Sequence, residues 1–236
     1  MLQACSDGQV RLDANRILSR MSIDDLDAIR SQMRLVEVTG EQLLDDIISI
    51  PKFVYFPIDC TLSLQYLLEN GRSGEVAVIG NEGISGILTL CDASKSPYRA
   101  IVRIPGRTWR CPRLVIRERF EASSTFRILL MNYCRSLLVQ VMQVAACNRH
   151  HTLRQQLCRW LLVSMDRSSK DEFVVTQDFI AQMLGVRREG VTNAAIDLER
   201  LGLIERHRGY IRVLDRPGLE AACCECYEVM RREFDS

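Results

Sequence analysis

The pattern of apolar positions changes period near residue 114. Before that point, apolar runs are short and recur at roughly ten-residue spacing, with glycine or proline at the bends, as in a jelly-roll-like barrel. The runs begin at Leu35-Val36-Glu37-Val38, include Val54-Tyr55-Phe56-Pro57, and continue through residues 61–68, 75–79, 99–104 and 108–111. Asn70-Gly71 is a strong hairpin signal, Gly80, Gly83 and Gly86 punctuate a loop or short helix, and Pro105-Gly106 separates the last two strands. Ahead of the strands, Ile17, Leu18 and Met21, then Leu26, Ile29 and Met33, predict two short helices. Ser22 caps the second, with acids in its first turn where the helix dipole favours them. Residues 1–14 show no period and read as a flexible N-terminal arm.

From residue 114 to 165 there is neither proline nor glycine. Leu130, Tyr133, Leu137, Val141 and Val144 alternate three- and four-residue steps, close to a coiled-coil seam. So long a helix is expected to pack this seam against its copy in a second subunit, the alternative being packing along its own barrel. Cys147-Asn148-Arg149-His150-His151 then interrupts the pattern as a hinge, and Leu153, Leu157, Trp160, Leu161 and Ser164 begin a further helix.

Residues 173–175 read as a strand entering Thr176, whose hydroxyl is placed to cap the next helix. Ile180, Met183 and Leu184 give that helix one apolar face, Gly185 supplies a tight turn, and Val186 tucks back. A second helix follows with Val191, Ala194 or Ala195, Leu198 and Leu201 inward and Gly202 as its stop. Its first turns carry Arg187, Arg188, Glu189, Thr192 and Asn193 on the other face. This is the layout of a helix-turn-helix, whose second helix presents its N-terminal side chains to the major groove. The competing reading is a helical hairpin with a solvated charged face. Residues 203–214 favour the first reading, because they form two short strands turning near Arg208-Gly209, flanked by Arg206 and Arg212 that suit phosphates. The pair makes a winged helix-turn-helix.

Composition narrows the class further. The chain has 236 residues, 47% hydrophobic and 26% charged, with a formal net charge of +1. It is a soluble globular chain by composition, and any nucleic-acid contact must come from a local patch rather than a polycationic surface. No stretch approaches the ~20 apolar residues of a membrane span, and no signal peptide opens the chain; a cytoplasmic protein that does not engage membranes is expected. The ten cysteines, at 5, 60, 91, 111, 134, 147, 158, 223, 224 and 226, lack the spacing of a disulfide scaffold and are expected to be small buried hydrophobes.

The order barrel, long helix, winged helix-turn-helix resembles the Crp/Fnr family of bacterial transcription regulators over residues 15–230. Residues 176–204 and the run Val54-Tyr55-Phe56-Pro57 … Ser63-Leu64 … Gly80-Asn81-Glu82-Gly83 carry the resemblance. Cys147-Asn148-Arg149-His150-His151 is similar to a run in a subgroup whose effector is not generally known. The resemblance implies an α+β fold: a jelly-roll, cyclic-nucleotide-binding-like barrel over 15–113, a dimerisation helix over 114–147, and a winged helix-turn-helix over 148–236. It implies that Arg188 and Glu189 read bases, arginine pairing with guanine O6 and N7 and glutamate accepting from cytosine N4. The family's further reading position falls on Asn193, which prefers adenine. Arg187 and Thr192 lie on the same face, Gly190 replaces a hydroxyl residue that would meet a phosphate, Thr176 and Gln177 begin the helix that holds a phosphate, and Arg208 belongs to the wing. The implied partners are double-stranded DNA, a second copy of the chain, and RNA polymerase if the protein activates.

The barrel departs from the pattern of cyclic-nucleotide binders. Glu82 and Gly83 lie in the loop that meets the ribose, but Tyr98 stands where a phosphate arginine belongs, with Arg99 one place on. A one-residue slip in a strand turns a side chain to the opposite face, so a cyclic nucleotide is not expected as cofactor. Nor is an iron–sulfur cluster, since only Cys5 lies in the arm. Cys147 and His151 share a helix face, as metal ligands can, with His150 and Cys158 nearby; core packing is the plainer expectation. In Cys223-Cys224-Glu225-Cys226, Leu219, Cys223, Cys226, Tyr227 and Met230 form one apolar face, which leaves Cys224 pointing away. A thiol- or metal-dependent redox sensor or enzyme using Cys147, His150 and His151 is the alternative function, as is a barrel-based partner-binding sensor without DNA affinity. With three histidines and no phosphate loop, nucleophile elbow or paired metal motif, catalysis is not expected.

Overall fold

A computed structural model describes residues 3–4, 12–69, 71, 73–91, 95–168, 171–207 and 209–235. Contacts divide the chain into two compact units, one comprising residues 1–64 and 78–137 and the other 65–77 and 138–236.

Two sheets build the barrel, and all of their strand residues except 65–67 and 73–77 fall in the first unit. One has the strand order β1 (Gln3–Ala4), β2 (Arg34–Val38), β8 (Gly106–Pro112), β4 (Phe53–Pro57). The other has the order β3 (Leu43–Asp45), β7 (Arg99–Ile104), β5 (Thr61–Leu67), β6 (Ser73–Ile79). Alternate side chains such as Val36, Val38, Val54, Phe56, Leu62, Leu64, Ala100 and Val102 are buried, which is why the apolar alternation was readable as strands. The arm is partly tied down, because Gln3 and Ala4 pair with Glu37 and Val36 and residues 12–14 form a 3₁₀ turn. The remaining residues of the arm, Cys5 among them, lie outside the described residues, as does Asn70 of the hairpin turn; Gly71 beside it has the positive φ of +80° that such a turn demands.

Two short helices precede β2, α1 (Arg16–Ser19) capped by Asn15 and α2 (Ile23–Arg30) capped by Ser22. A third, α3 (Leu88–Cys91), follows β6. Asp25 on α2 is almost fully buried and accepts from Ser22 Oγ at 2.7 Å, Thr125 Oγ1 at 3.1 Å and the Arg119 guanidinium. Burial alone would raise its pKa, but hydrogen bonds from Ser22, Ser123, Arg119 and Thr125 hold the carboxyl below its ordinary value.

The helical stretch after the barrel is not one helix. It is α4 (Arg113–Ala122) and α5 (Ser124–His150), separated at Ser123, whose backbone is extended. Ser123 Oγ accepts from Phe126 N–H and so caps α5. The apolar stripe expected to face a second subunit packs inside the chain instead: Leu130, Tyr133, Leu137 and Val144 are all buried. A different stripe is open, with Ile128 61%, Met131 52%, Leu138 59% and Met142 55% exposed. Counting Arg135 between Met131 and Leu138, these positions also step by three and four. By length and composition α5 is apolar enough to cross a membrane, with 33% of the stretch buried; the expectation that no stretch approaches this is corrected.

The second unit contains the rest of α5, α6 (Leu153–Ser168), α7 (Gln177–Leu184), α8 (Arg188–Arg200), α9 (Arg216–Ala222) and α10 (Cys226–Asp235). A three-stranded sheet of order β10 (Ile204–His207), β11 (Tyr210–Val213), β9 (Glu172–Val174) completes it. The helix break falls at His151-Thr152, since α5 continues through His150. The tip of the β5–β6 hairpin belongs to this unit as well: Gln182 of α7 donates to Ser73 Oγ at 3.0 Å.

Candidate nucleic-acid interface

The helix-turn-helix follows from local chemistry. Thr176 has an extended backbone and its hydroxyl accepts from Phe179 N–H at 3.2 Å, capping α7. Gly185 closes the helix at φ +67°, a conformation a β-carbon would strain, and Val186 N–H returns to Ala181 O at 3.0 Å. α8 then buries Val191, Ala194, Ala195 and Leu198, which leaves its opposite face to water. Gly202, at φ +72°, turns the chain into the wing.

Arg187, Arg188, Glu189 and Asn193 are exposed on that outer face. Arg187 is the N-cap of α8 and makes no side-chain capping bond. Arg188 lies 3.4 Å from Asp178, with both side chains more than 60% exposed, a surface pair too weak to hold the guanidinium from a better partner. Thr192 is half-buried and donates to Gln177 Oε1 at 2.6 Å, so two of the expected contact residues tie the start of α7 to α8. Gly190 has a structural reason of its own, since a β-carbon there would lie 2.8 Å from Leu153 Cδ2.

The wing pairs Ile204–His207 with Tyr210–Val213 in antiparallel register. His207 stacks on Tyr210 with ring centroids 4.9 Å apart. Arg208 lies outside the described residues. Arg206 is not a free cation for phosphate: it forks onto Glu199 Oε2 at 2.6 and 3.1 Å, and that hydrogen bond holds the Glu199 carboxyl below its ordinary value. Arg212 is exposed.

The barrel residues singled out for an effector are arranged differently from a phosphate cradle. Both Glu82 oxygens lie 3.0 Å from Gly80 N–H, and the residue is buried. Tyr98 is also buried, while Arg99 turns to Asp46 Oδ1 at 3.0 Å. The Tyr133 ring packs directly on Gly83, where a β-carbon would overlap it. Gly83→Ala is therefore expected to cost about 1–3 kcal/mol through overpacking, read as a lower urea midpoint; an unchanged midpoint would show that Tyr133 is free to move aside. Asp45, on β3, is buried with Oδ2 lacking a hydrogen-bond partner. Burial pushes its carboxyl up to about 7.

The cysteine and histidine residues at the helix break come together from distant parts of the sequence. Cys224 does not point away: it is buried with Cys147 and Cys226. The expected single helix is broken, α9 ending at Ala222 and α10 starting at Cys226, which swings Cys224 inward. Burial raises the Cys147, Cys224 and Cys226 thiols above their ordinary value. Cys158 is also buried, and His150 is exposed. Sequence reasoning paired Cys147 with His151 but missed Cys226 as their neighbour.

Comparison with known proteins adds to this geometry. The sequence of residues 155–222 matches the model of the Crp-like helix-turn-helix domain. These residues are similar to a Crp-like helix-turn-helix domain. No curated protein matches the chain. Among solved structures, a transcriptional regulator of the Crp/Fnr family from Eubacterium rectale superposes with a TM-score of 0.67 at 16% identity, covering 89% of this chain and 98% of that one. FixK2 from Bradyrhizobium japonicum gives 0.65 at 14% identity, covering 81% and 98%. The c-di-GMP-responsive regulator CLP from Xanthomonas campestris gives 0.64 at 11%, covering 82% and 100%. The chain thus has the fold of a Crp/Fnr-type DNA-binding transcription regulator.

Proposed function

We propose that this chain is a homodimeric, sequence-specific transcription regulator of the cytoplasm, reading an inverted-repeat operator with α8 and catalysing no reaction. The observation that carries this reading is the split of α8 into two faces. Val191, Ala194, Ala195 and Leu198 fix its position from behind, and Arg188, Glu189 and Asn193 stand exposed in front. A helix held rigidly with a bidentate donor at its first turn is what base reading requires. Two such helices about 34 Å apart would meet successive major grooves.

In this reading Arg188 pairs with a guanine, Glu189 accepts from a cytosine and Asn193 favours an adenine. Arg187, Arg208, Thr176 and Gln177 hold the backbone. The dimer forms along Ile128, Met131, Leu138 and Met142, the stripe that α5 leaves open. An event in the barrel alters α5 and so the spacing of the two α8 helices. The Asp46 carboxylate that pairs with Arg99 and the Tyr133 ring over Gly83 speak against a cyclic nucleotide as the barrel's effector. An activator of this design would also contact RNA polymerase.

Arg188→Ala tests the base-reading role. It is expected to weaken operator binding by about 1–3 kcal/mol and to relax base choice at one position of each half-site. An equal loss on every sequence would instead make Arg188 a phosphate contact.

A further inference from the structure

The four side chains that meet behind the winged helix form a donor set. Cys147 Sγ, Cys224 Sγ, Cys226 Sγ and a ring nitrogen of His151 all lie within 4.8 Å of one another. We propose that they bind one thiophilic, tetrahedral divalent cation, zinc, in a three-sulfur, one-nitrogen structural site.

Two of the donor–donor distances match the edges of a single tetrahedral ion. Zinc–sulfur bonds of about 2.3 Å place tetrahedral sulfurs about 3.8 Å apart, and a zinc–nitrogen bond of about 2.0 Å sets a sulfur–nitrogen edge of about 3.5 Å. Cys147 Sγ and Cys224 Sγ are 3.7 Å apart, and Cys226 Sγ and His151 Nδ1 are 3.4 Å apart. A two-iron cluster is a poorer match, because each iron takes two protein ligands and the donors would separate into two pairs. Three sulfurs and an imidazole nitrogen in tetrahedral array select zinc over harder cations.

The surroundings are those of a metal site rather than of four packed hydrophobes. His151 has Nδ1 toward the sulfurs and Nε2 3.4 Å from Glu225 Oε1, the carboxylate–histidine arrangement that fixes a ligating ring. Gln143 Nε2 donates to Cys226 Sγ at 3.0 Å and Arg159 Nε to Cys147 Sγ at 3.3 Å. Both bonds favour thiolate over thiol. Arg159 is only 6% exposed, and a buried guanidinium needs a compensating charge. Three thiolates and one Zn²⁺ carry a net charge of −1, which supplies it. Cys226 is also the first residue of α10, where the helix dipole lowers the cost of a thiolate.

On binding, the three thiols release three protons to solvent, the imidazole binds neutral, and no electron is transferred. The ion would join the C-terminal end of α5 to the start of α10 across the break at His151-Thr152. Its place in the fold is a clamp on the segment that carries α5 into α6. The site does not depend on the DNA-binding reading.

The test uses the full-length protein, reduced and stripped with a chelator, titrated first with Co²⁺ and then with Zn²⁺. One Co²⁺ per chain is expected, with the intense visible bands of a tetrahedral thiolate site, displaced by one Zn²⁺. Cys224→Ser and Cys226→Ser should abolish the bands, Cys223→Ser and Cys158→Ser should retain them, and Glu225→Gln should weaken binding about 10- to 100-fold. No cobalt spectrum from the reduced wild-type protein would overturn the proposal. So would equal loss in Cys223→Ser, or a Cys147–Cys224 disulfide forming in air in a protein that takes up no ion. Circular dichroism on each variant separates lost ligands from lost folding, and the wild-type titration decides the matter without any variant.

Discussion

Replacing Met131 and Leu138 together with glutamate is expected to give a folded monomer that binds a two-half-site duplex about 10²- to 10⁴-fold more weakly than the wild-type chain. Both side chains are more than half exposed in the single chain, so their loss leaves no cavity. Their packing against a second copy would be broken by four carboxylates facing one another across a seam. The affinity loss follows from losing the second half-site: linking two binding modules raises avidity by about that factor without any new contact. Sedimentation equilibrium and titration of a duplex with one or two half-sites check both parts. A variant that stays dimeric would move the interface off this stripe. A monomer with undiminished affinity would contradict the two-helix reading.

Asp45→Asn is expected to stabilise the barrel at pH 8 by up to about 4 kcal/mol and to leave it little changed at pH 4. The sign follows from the direction of the shift. Burial raises the Asp45 carboxyl to about 7, above the value near 3.9 expected of an unfolded aspartate. The wild-type contribution is therefore fully present below about pH 4 and is lost as pH rises through about 7, because the unfolded chain ionises first. Asparagine keeps the shape and never ionises. Asp25, whose carboxyl is held below its ordinary value, contributes in the opposite direction, so the quantity to measure is the difference between variant and wild-type unfolding free energies across pH 4 to 8. A difference that does not change with pH would place Asp45 in contact with water. Burial, with the Asp45 charge adding to it, pushes the Tyr55 phenol up to about 12.

What was legible in the sequence was what short-range chemistry determines. Thr176 as a cap, Gly185 and Gly202 as turns, and an apolar residue every third or fourth place define α7 and α8 without reference to anything distant. The strands of the barrel were readable for the same reason, through alternation and the glycines and prolines between them. The seam of α5 was not. Its buried positions 130, 133, 137 and 144 and its open positions 128, 131, 138 and 142 both follow steps of three, four or seven residues, so periodicity alone cannot say which stripe is buried within the chain. The break at Ser123 was missed because neither glycine nor proline marks it, although a serine followed by helix formers is itself a capping signal. Cys147 and His151 share a helix face by spacing, but their approach to Cys224 and Cys226, more than 70 residues on, is set by tertiary packing. Reading residues 219–230 as one helix also turned Cys224 the wrong way.

The central claim is that two copies of the chain present α8 to two grooves at once. Its most direct test is selection of bound duplexes from a randomised DNA pool by the purified protein, followed by sequencing of the survivors. The account predicts a two-fold-symmetric consensus whose half-sites lie about one helical turn apart, with a guanine in each that Arg188→Ala no longer requires. Survivors no different from the starting pool, or a single asymmetric half-site, would contradict it.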